Sequence, residues 1–145
     1  IELSVKYFLE QSVPSKNIFI FGQSRGAWSA LYYASKNKFP ELGGYVLYAP
    51  VICGPQPISC WGVIDEHIKL FKTSKMHGIL FSHPNDPFFT PKEHSFARIM
   101  PNLKLKTDFC EHLSSSMAHG FYRRHCIMSS WKVIMQFIQT RVGKI

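Results

Sequence analysis

A chain of 145 residues, 46% hydrophobic and 18% charged, has the size and make-up of one globular domain able to bury a real core. No apolar run approaches the roughly eighteen residues that a bilayer crossing requires, so a membrane span is excluded. The net charge of +8 is scattered, with Lys104/Lys106 and Arg123/Arg124 as its densest groups. A nucleic-acid binder concentrates such charge on one face with aromatics between, so nucleic acid is not the expected partner.

Ile1, Val5, Phe8, Leu9 and Ser12 follow helical spacing, which predicts an amphipathic helix over residues 1–12 ended by Pro14. Glu2 and Glu10 interrupt its apolar residues, which is not the composition of a signal peptide. After the turn Ser15-Lys16-Asn17 comes IFIF, residues 18–21, an all-apolar strand of the kind covered on both faces in a parallel sheet. Residues 26–38 predict a helix packing through Ala27, Ala30, Leu31 and Ala34 and stopped by Phe39-Pro40. GYVLYA, residues 44–49, is a second buried strand, and residues 50–60 form a Pro- and Gly-rich loop.

The alternation continues. Residues 62–73 predict a helix with Val63, His67, Leu70 and Phe71 near one face, followed by the strand GILFS at 78–82 and a loop at 83–91. Residues 92–100 predict a proline-bounded helix, and 103–109 a fourth strand. A loop then leads to Gly120, and a helix over 121–141 places Ile127, Trp131, Ile134 and Ile138 at near-helical spacing. Strands alternating with helices imply the α/β class: one domain over residues 1–145 with a mostly parallel sheet and helices on both faces. Ligands gather at the carboxyl ends of such strands.

Four cysteines at 53, 60, 110 and 126 form no CxxC pair, although Cys53 and Cys60 are close enough to bridge a loop. Free thiols, and with them a cytoplasmic location, are the expectation. Seven histidines include no HxxxH or HxH pair, and Cys110 with His112 lacks a second ligand pair. No metal and no cofactor are expected.

The strand at 18–21 runs into Gly22-Gln23-Ser24-Arg25-Gly26, and a helix follows at once. A serine in so sharp a turn is held in a strained conformation with its hydroxyl above the sheet, and glycines on either side leave the turn room. The helix N-terminus adds N–H groups and a positive dipole end beside developing negative charge, with the Arg25 N–H aimed at the oxyanion. A serine hydroxyl needs a base, and the base needs an orienting carboxylate.

Later strand ends supply both. Asp86 follows GILFS in the loop HPNDPFFTP, and His119 follows the next strand in SSSMAHGFYRRH. Asp65 falls within a helix and Asp108 within a strand, while Glu111 is a rival acid and His112 a rival base. The order Ser24, Asp86, His119 is that of the nucleophile-elbow hydrolases.

On the GQSRGAW elbow, the NDPFFTP acid loop and the AHG histidine loop, the chain resembles the α/β-hydrolase superfamily over nearly all its length. The nearest flavour is the small esterase, dienelactone-hydrolase-like or prolyl-peptidase-like group, with Ser24 where dienelactone hydrolases usually carry cysteine. The resemblance covers only the later half of that fold. It implies that the N-terminal strands and the second oxyanion donor lie outside these residues. It also implies that strand 18–21 is an exposed edge, open to a preceding segment or to a second copy of the chain.

The expected function is hydrolysis of a small-molecule ester, thioester or small amide through an acyl-enzyme. Gln23, Trp61 and Phe88 are candidate substrate contacts, and residues 51–61 a candidate lid. Core packing explains Trp61 and Phe88 equally well. The alternatives are a catalytically impaired hydrolase-like scaffold serving binding or assembly, and a basic nucleic-acid-binding module.

Overall fold

The structure is a computed structural model that describes residues 1–52, 61–83, 85–88, 102–106, 119 and 127–143. Residues 53–60 of the expected loop at 50–60, the helix at 92–100, all four cysteines, Glu111, His112 and Gly120 lie outside the described residues.

Four strands form one parallel sheet in the order β1-β2-β3-β4: β1 is Phe19–Gln23, β2 Gly44–Tyr48, β3 Gly78–Phe81 and β4 Leu103–Lys106. The α/β class read from the alternation is therefore what the chain adopts. Helix α1 is Glu2–Glu10, α2 Arg25–Ser35, α3 Trp61–Phe71 and α4 Ile127–Val142, with a 3-10 turn at Ser15–Asn17 before β1.

Side chains alternate across each strand, and two cores result. On one face Ile20, Tyr45, Leu47, Leu80 and Leu103 pack against Val5 of α1, against Ala27, Trp28, Ala30, Leu31 and Ala34 of α2, and against Ile64 and Phe71 of α3. On the other face Val46, Ile79 and Phe81 pack against Ile134 of α4, with Val133, Phe137 and Ile138 at its margin. Strands covered in this way lose no apolar area to water, which is why GYVLY and GILF need no alternation.

Several finer expectations shift. In α3 the buried face is Ile64 and Phe71, both fully buried, while Val63 and Leu70 are exposed. In α4 the sheet-facing positions are Ser130 and Ile134, with Arg141 Nε donating to the Gly43 carbonyl at 2.9 Å; Trp131 is half-exposed. In α1 only Val5 is buried, and Ile1 and Phe8 stand largely in solvent. Glu2 instead anchors that helix to the segment after α2, 2.6 Å from the Lys38 ammonium, and pairs within α1 with Lys6 at 3.2 Å.

Strand β1 pairs only with β2 among the described residues, so it is an edge of the described sheet. Phe21 lies on the α4 face of that edge and is 52% exposed, whereas its register partner Val46 is fully buried.

Candidate active site

Strand β1 ends by delivering Ser24 in a conformation that ordinary residues avoid. Its φ of 51° and ψ of −123° lie in a region that costs of order 1–3 kcal/mol and persists only when the surroundings impose it. Three backbone hydrogen bonds impose it here. The Ser24 N–H donates to the Tyr48 carbonyl at 2.9 Å, and its own carbonyl accepts from Trp28 N–H at 3.1 Å and Val51 N–H at 3.2 Å. The serine is thus pinned by β2, by the first turn of α2 and by the loop after β2.

The two flanking glycines play unequal parts. A Cβ at Gly22 would stand 2.7 Å from Ala27 Cα and 2.9 Å from Ala27 N, so helix α2 can start this close to the strand only over a glycine. A Cβ at Gly26 would meet no described atom within 4 Å. The expectation that both flanks lack room therefore holds at Gly22 and fails at Gly26, because the helix carries position 26 away from the strand.

Serine at a helix start ordinarily turns its hydroxyl back to cap the first N–H groups. Ser24 makes no such cap. Its Oγ lies 3.0 Å from His119 Nε2, and His119 Nδ1 lies 2.8 Å from Asp86 Oδ2. Side chains 95 and 33 residues apart in sequence thereby form one line, imidazole between alcohol and acid. The first-turn N–H groups stay uncapped by the serine, and no hydrogen bond among the described residues occupies the Arg25 N–H.

The Asp86 side chain is 0% exposed and that of His119 21% exposed, so the pair is largely removed from water. Both carboxylate oxygens are used, since Oδ1 accepts the Phe88 N–H at 2.9 Å. A carboxylate only accepts hydrogen bonds. The ring proton of a neutral His119 therefore sits on Nδ1, and Nε2 faces the serine with its lone pair. The turn that presents Asp86 is itself tied down: Asp86 N–H donates to the His83 carbonyl at 3.0 Å, and Asn85 N–H to His83 Nδ1 at 3.1 Å. His83 is buried and holds this loop; it is not a member of the line.

Phe88, a candidate substrate contact, lies with its ring centroid 4.6 Å from that of His119, inclined at 51°, where it braces the imidazole. The Asp-Pro-Phe run carries a legible signal for half of this role, since Asp commonly accepts the N–H two residues on. Gln23 is half-buried at the end of β1, in register with Tyr48. Trp61 begins α3; of the candidate lid before it, Val51 and Ile52 are described and residues 53–60 lie outside the described residues. Sequence reasoning missed Val51, whose N–H helps to clamp the elbow, and the Trp28–His67 pair, in which the indole Nε1–H donates to Nδ1 at 2.7 Å. Burial of His67 holds its pKa below the ordinary 6.5.

Among the described residues no three His, Cys, Asp or Glu side chains are grouped to hold a metal ion, and no helix is long and apolar enough to cross a membrane. Comparison with protein-family models, curated proteins and solved structures returns no match for this chain.

Proposed function

We propose that the chain carries the active site of a serine hydrolase, cleaving an ester, thioester or small amide through an acyl-enzyme. The observation that carries the reading is the continuous line from Ser24 Oγ through His119 to the buried Asp86, at 3.0 and 2.8 Å. These spacings are what proton transfer between nucleophile and base demands.

In the proposed reaction Ser24 Oγ bonds to the substrate carbonyl carbon while its proton passes to His119 Nε2. The carbonyl oxygen becomes an oxyanion, stabilised by the Arg25 N–H and the positive end of α2. Collapse of the tetrahedral centre breaks the bond to the leaving group, which departs with the proton from Nε2. Water then attacks the acyl-serine, gives one proton to His119, and releases the acid as Ser24 recovers its own. Asp86 stays ionised and stabilises the imidazolium. No step calls on a metal or an organic cofactor.

The proposed partner at this site is a small-molecule ester or amide. The half-exposed Phe21 on an open edge favours a second element of the reading. A further strand, from a second copy or from a preceding segment, adds beside β1 and closes the sheet. The same open edge supports the alternative of a hydrolase-like scaffold used in binding or assembly.

Turnover of p-nitrophenyl acetate or butyrate by the protein that contains this chain tests the assignment. Ser24→Ala is expected to lower kcat by at least about a thousandfold. Unchanged turnover in that variant refutes it.

A further inference from the structure

Immediately behind the elbow lies a cavity of about 270 Å³. Trp28, Tyr32 and His67 wall it from α2 and α3, Val51 and Ile52 close it from the loop after β2, and Arg25 also lines it. It abuts the nucleophile's own peptide, because Arg25 follows Ser24 and the N–H groups of Trp28 and Val51 both bond the Ser24 carbonyl. A cavity of this size holds a single ring or a short branched chain.

The walls are flat and apolar. The His67 ring stacks on Trp28 at 5.9 Å and lies 4.5 Å from Tyr32. Among the described lining side chains Arg25 carries the one full charge, and the Tyr32 and Ser29 hydroxyls are neutral groups that can also accept. Trp28 Nε1–H is committed to His67 Nδ1, so a neutral His67 carries its proton on Nε2 and presents that N–H. The Ser29 hydroxyl is committed to the Arg25 carbonyl. Among the described residues no carboxylate pairs with the Arg25 guanidinium. Lys36, its ammonium 4.4 Å over the Tyr32 ring, adds positive charge on the same side.

Apolar walls beside a guanidinium that no described carboxylate neutralises favour a ligand that is apolar in body and anionic at one end. A planar guanidinium fits a carboxylate in two-point contact. We propose that this cavity is a carboxylate-selective subsite: it takes an aryl or short apolar arm whose terminal carboxylate pairs with Arg25. The proposal rests on the hydrolase reading in calling that arm part of the substrate. The substrates are then esters or amides carrying a free carboxylate, half-esters of dicarboxylic acids among them.

Binding is measured in the Ser24→Ala protein, where no turnover intervenes. The probes are 3-phenylpropionate and its neutral counterpart 3-phenylpropanol, followed by calorimetry and by backbone amide shifts. The carboxylate is expected to bind more tightly than the alcohol and to shift the amides of residues 25–32 and His67. Arg25→Gln, an exposed change compatible with the helix, is expected to weaken the carboxylate about tenfold and the alcohol less than twofold, as loss of one charge-assisted contact predicts. Ser29→Phe, which places a ring at the cavity, is expected to abolish binding of both.

Equal affinities for the two probes, shifts confined to other regions, or an Arg25→Gln loss shared by both probes would overturn the subsite. Carboxylate-selective binding in a protein whose wild type hydrolyses no ester supports the subsite and removes the hydrolase reading. Hydrolysis of p-nitrophenyl butyrate without any preference for mono-p-nitrophenyl glutarate, and without probe binding, does the reverse.

Discussion

Ser24 carries its strain because every neighbouring backbone group agrees on its placement. Its N–H and carbonyl make three hydrogen bonds to Tyr48, Trp28 and Val51, and the peptide has no other low-cost arrangement while these hold. The flanking glycines divide this work in a way that spacing alone does not disclose. GxSxG marks both positions equally, but the close approach of Ala27 to Gly22 is a property of how α2 leaves the strand. Gly22→Ala is expected to destabilise the fold by about 1–3 kcal/mol, because the obstacle is backbone and cannot yield as a side chain would. Gly26→Ala, at a helical position whose Cβ would meet no described neighbour, is expected to stabilise by about 0.5–1 kcal/mol through lower unfolded-state entropy. Urea unfolding of the two variants checks the pair, and equal destabilisation contradicts this division.

Helices α2 and α3 meet through an aromatic layer in which Trp28, His67 and Phe71 pack, with a hydrogen bond from indole to imidazole at its centre. Burial disfavours the charged ring, so His67 in the fold has a pKa below 6.5, with Glu66 opposing and Lys36 reinforcing that effect. The unfolded chain therefore takes up a proton near pH 6.5 that the fold refuses, and stability is complete above about 6.5 and falls as pH drops through the folded value. Urea midpoints between about pH 7 and pH 5 should decline in the wild type and decline less in His67→Gln, which keeps an acceptor for Trp28. Burial and Arg141 depress His77 in the same direction, so some slope remains in the variant. An identical slope in both proteins contradicts the assignment to His67.

At this scale the hydropathy pattern located the described elements well and their faces less well. β1 extends two residues past its apolar run to Gln23, since the ladder with β2 continues regardless of side-chain type. α4 has apolar residues on more than one stripe, and periodicity does not say that Ile134 rather than Trp131 meets the sheet. That choice depends on where β2 and β3 lie beneath the helix.

Across the whole molecule, a parallel sheet brings to one edge the residues that follow separate strands: Ser24 after β1, Asp86 after β3 and His119 after β4. This convergence was legible from the order of strands and the residue types that follow them, because βα alternation fixes strand direction and hence which loops share an edge. The bracing of His119 by Phe88 was not legible, since an aromatic in the loop that carries Asp86 fits substrate or core equally well. The open β1 edge with Phe21 is where the described fold has backbone to offer another strand.

The central claim is that Ser24 is an activated nucleophile, made so by the imidazole at 3.0 Å. Reaction with a fluorophosphonate, read by mass spectrometry of the peptide containing residue 24, tests it most directly. One adduct is expected, on Ser24, and its rate of formation should drop by at least about a thousandfold in His119→Ala. A folded protein that forms no adduct at Ser24, or forms it as fast without the imidazole, would show that Ser24 is not activated in this way.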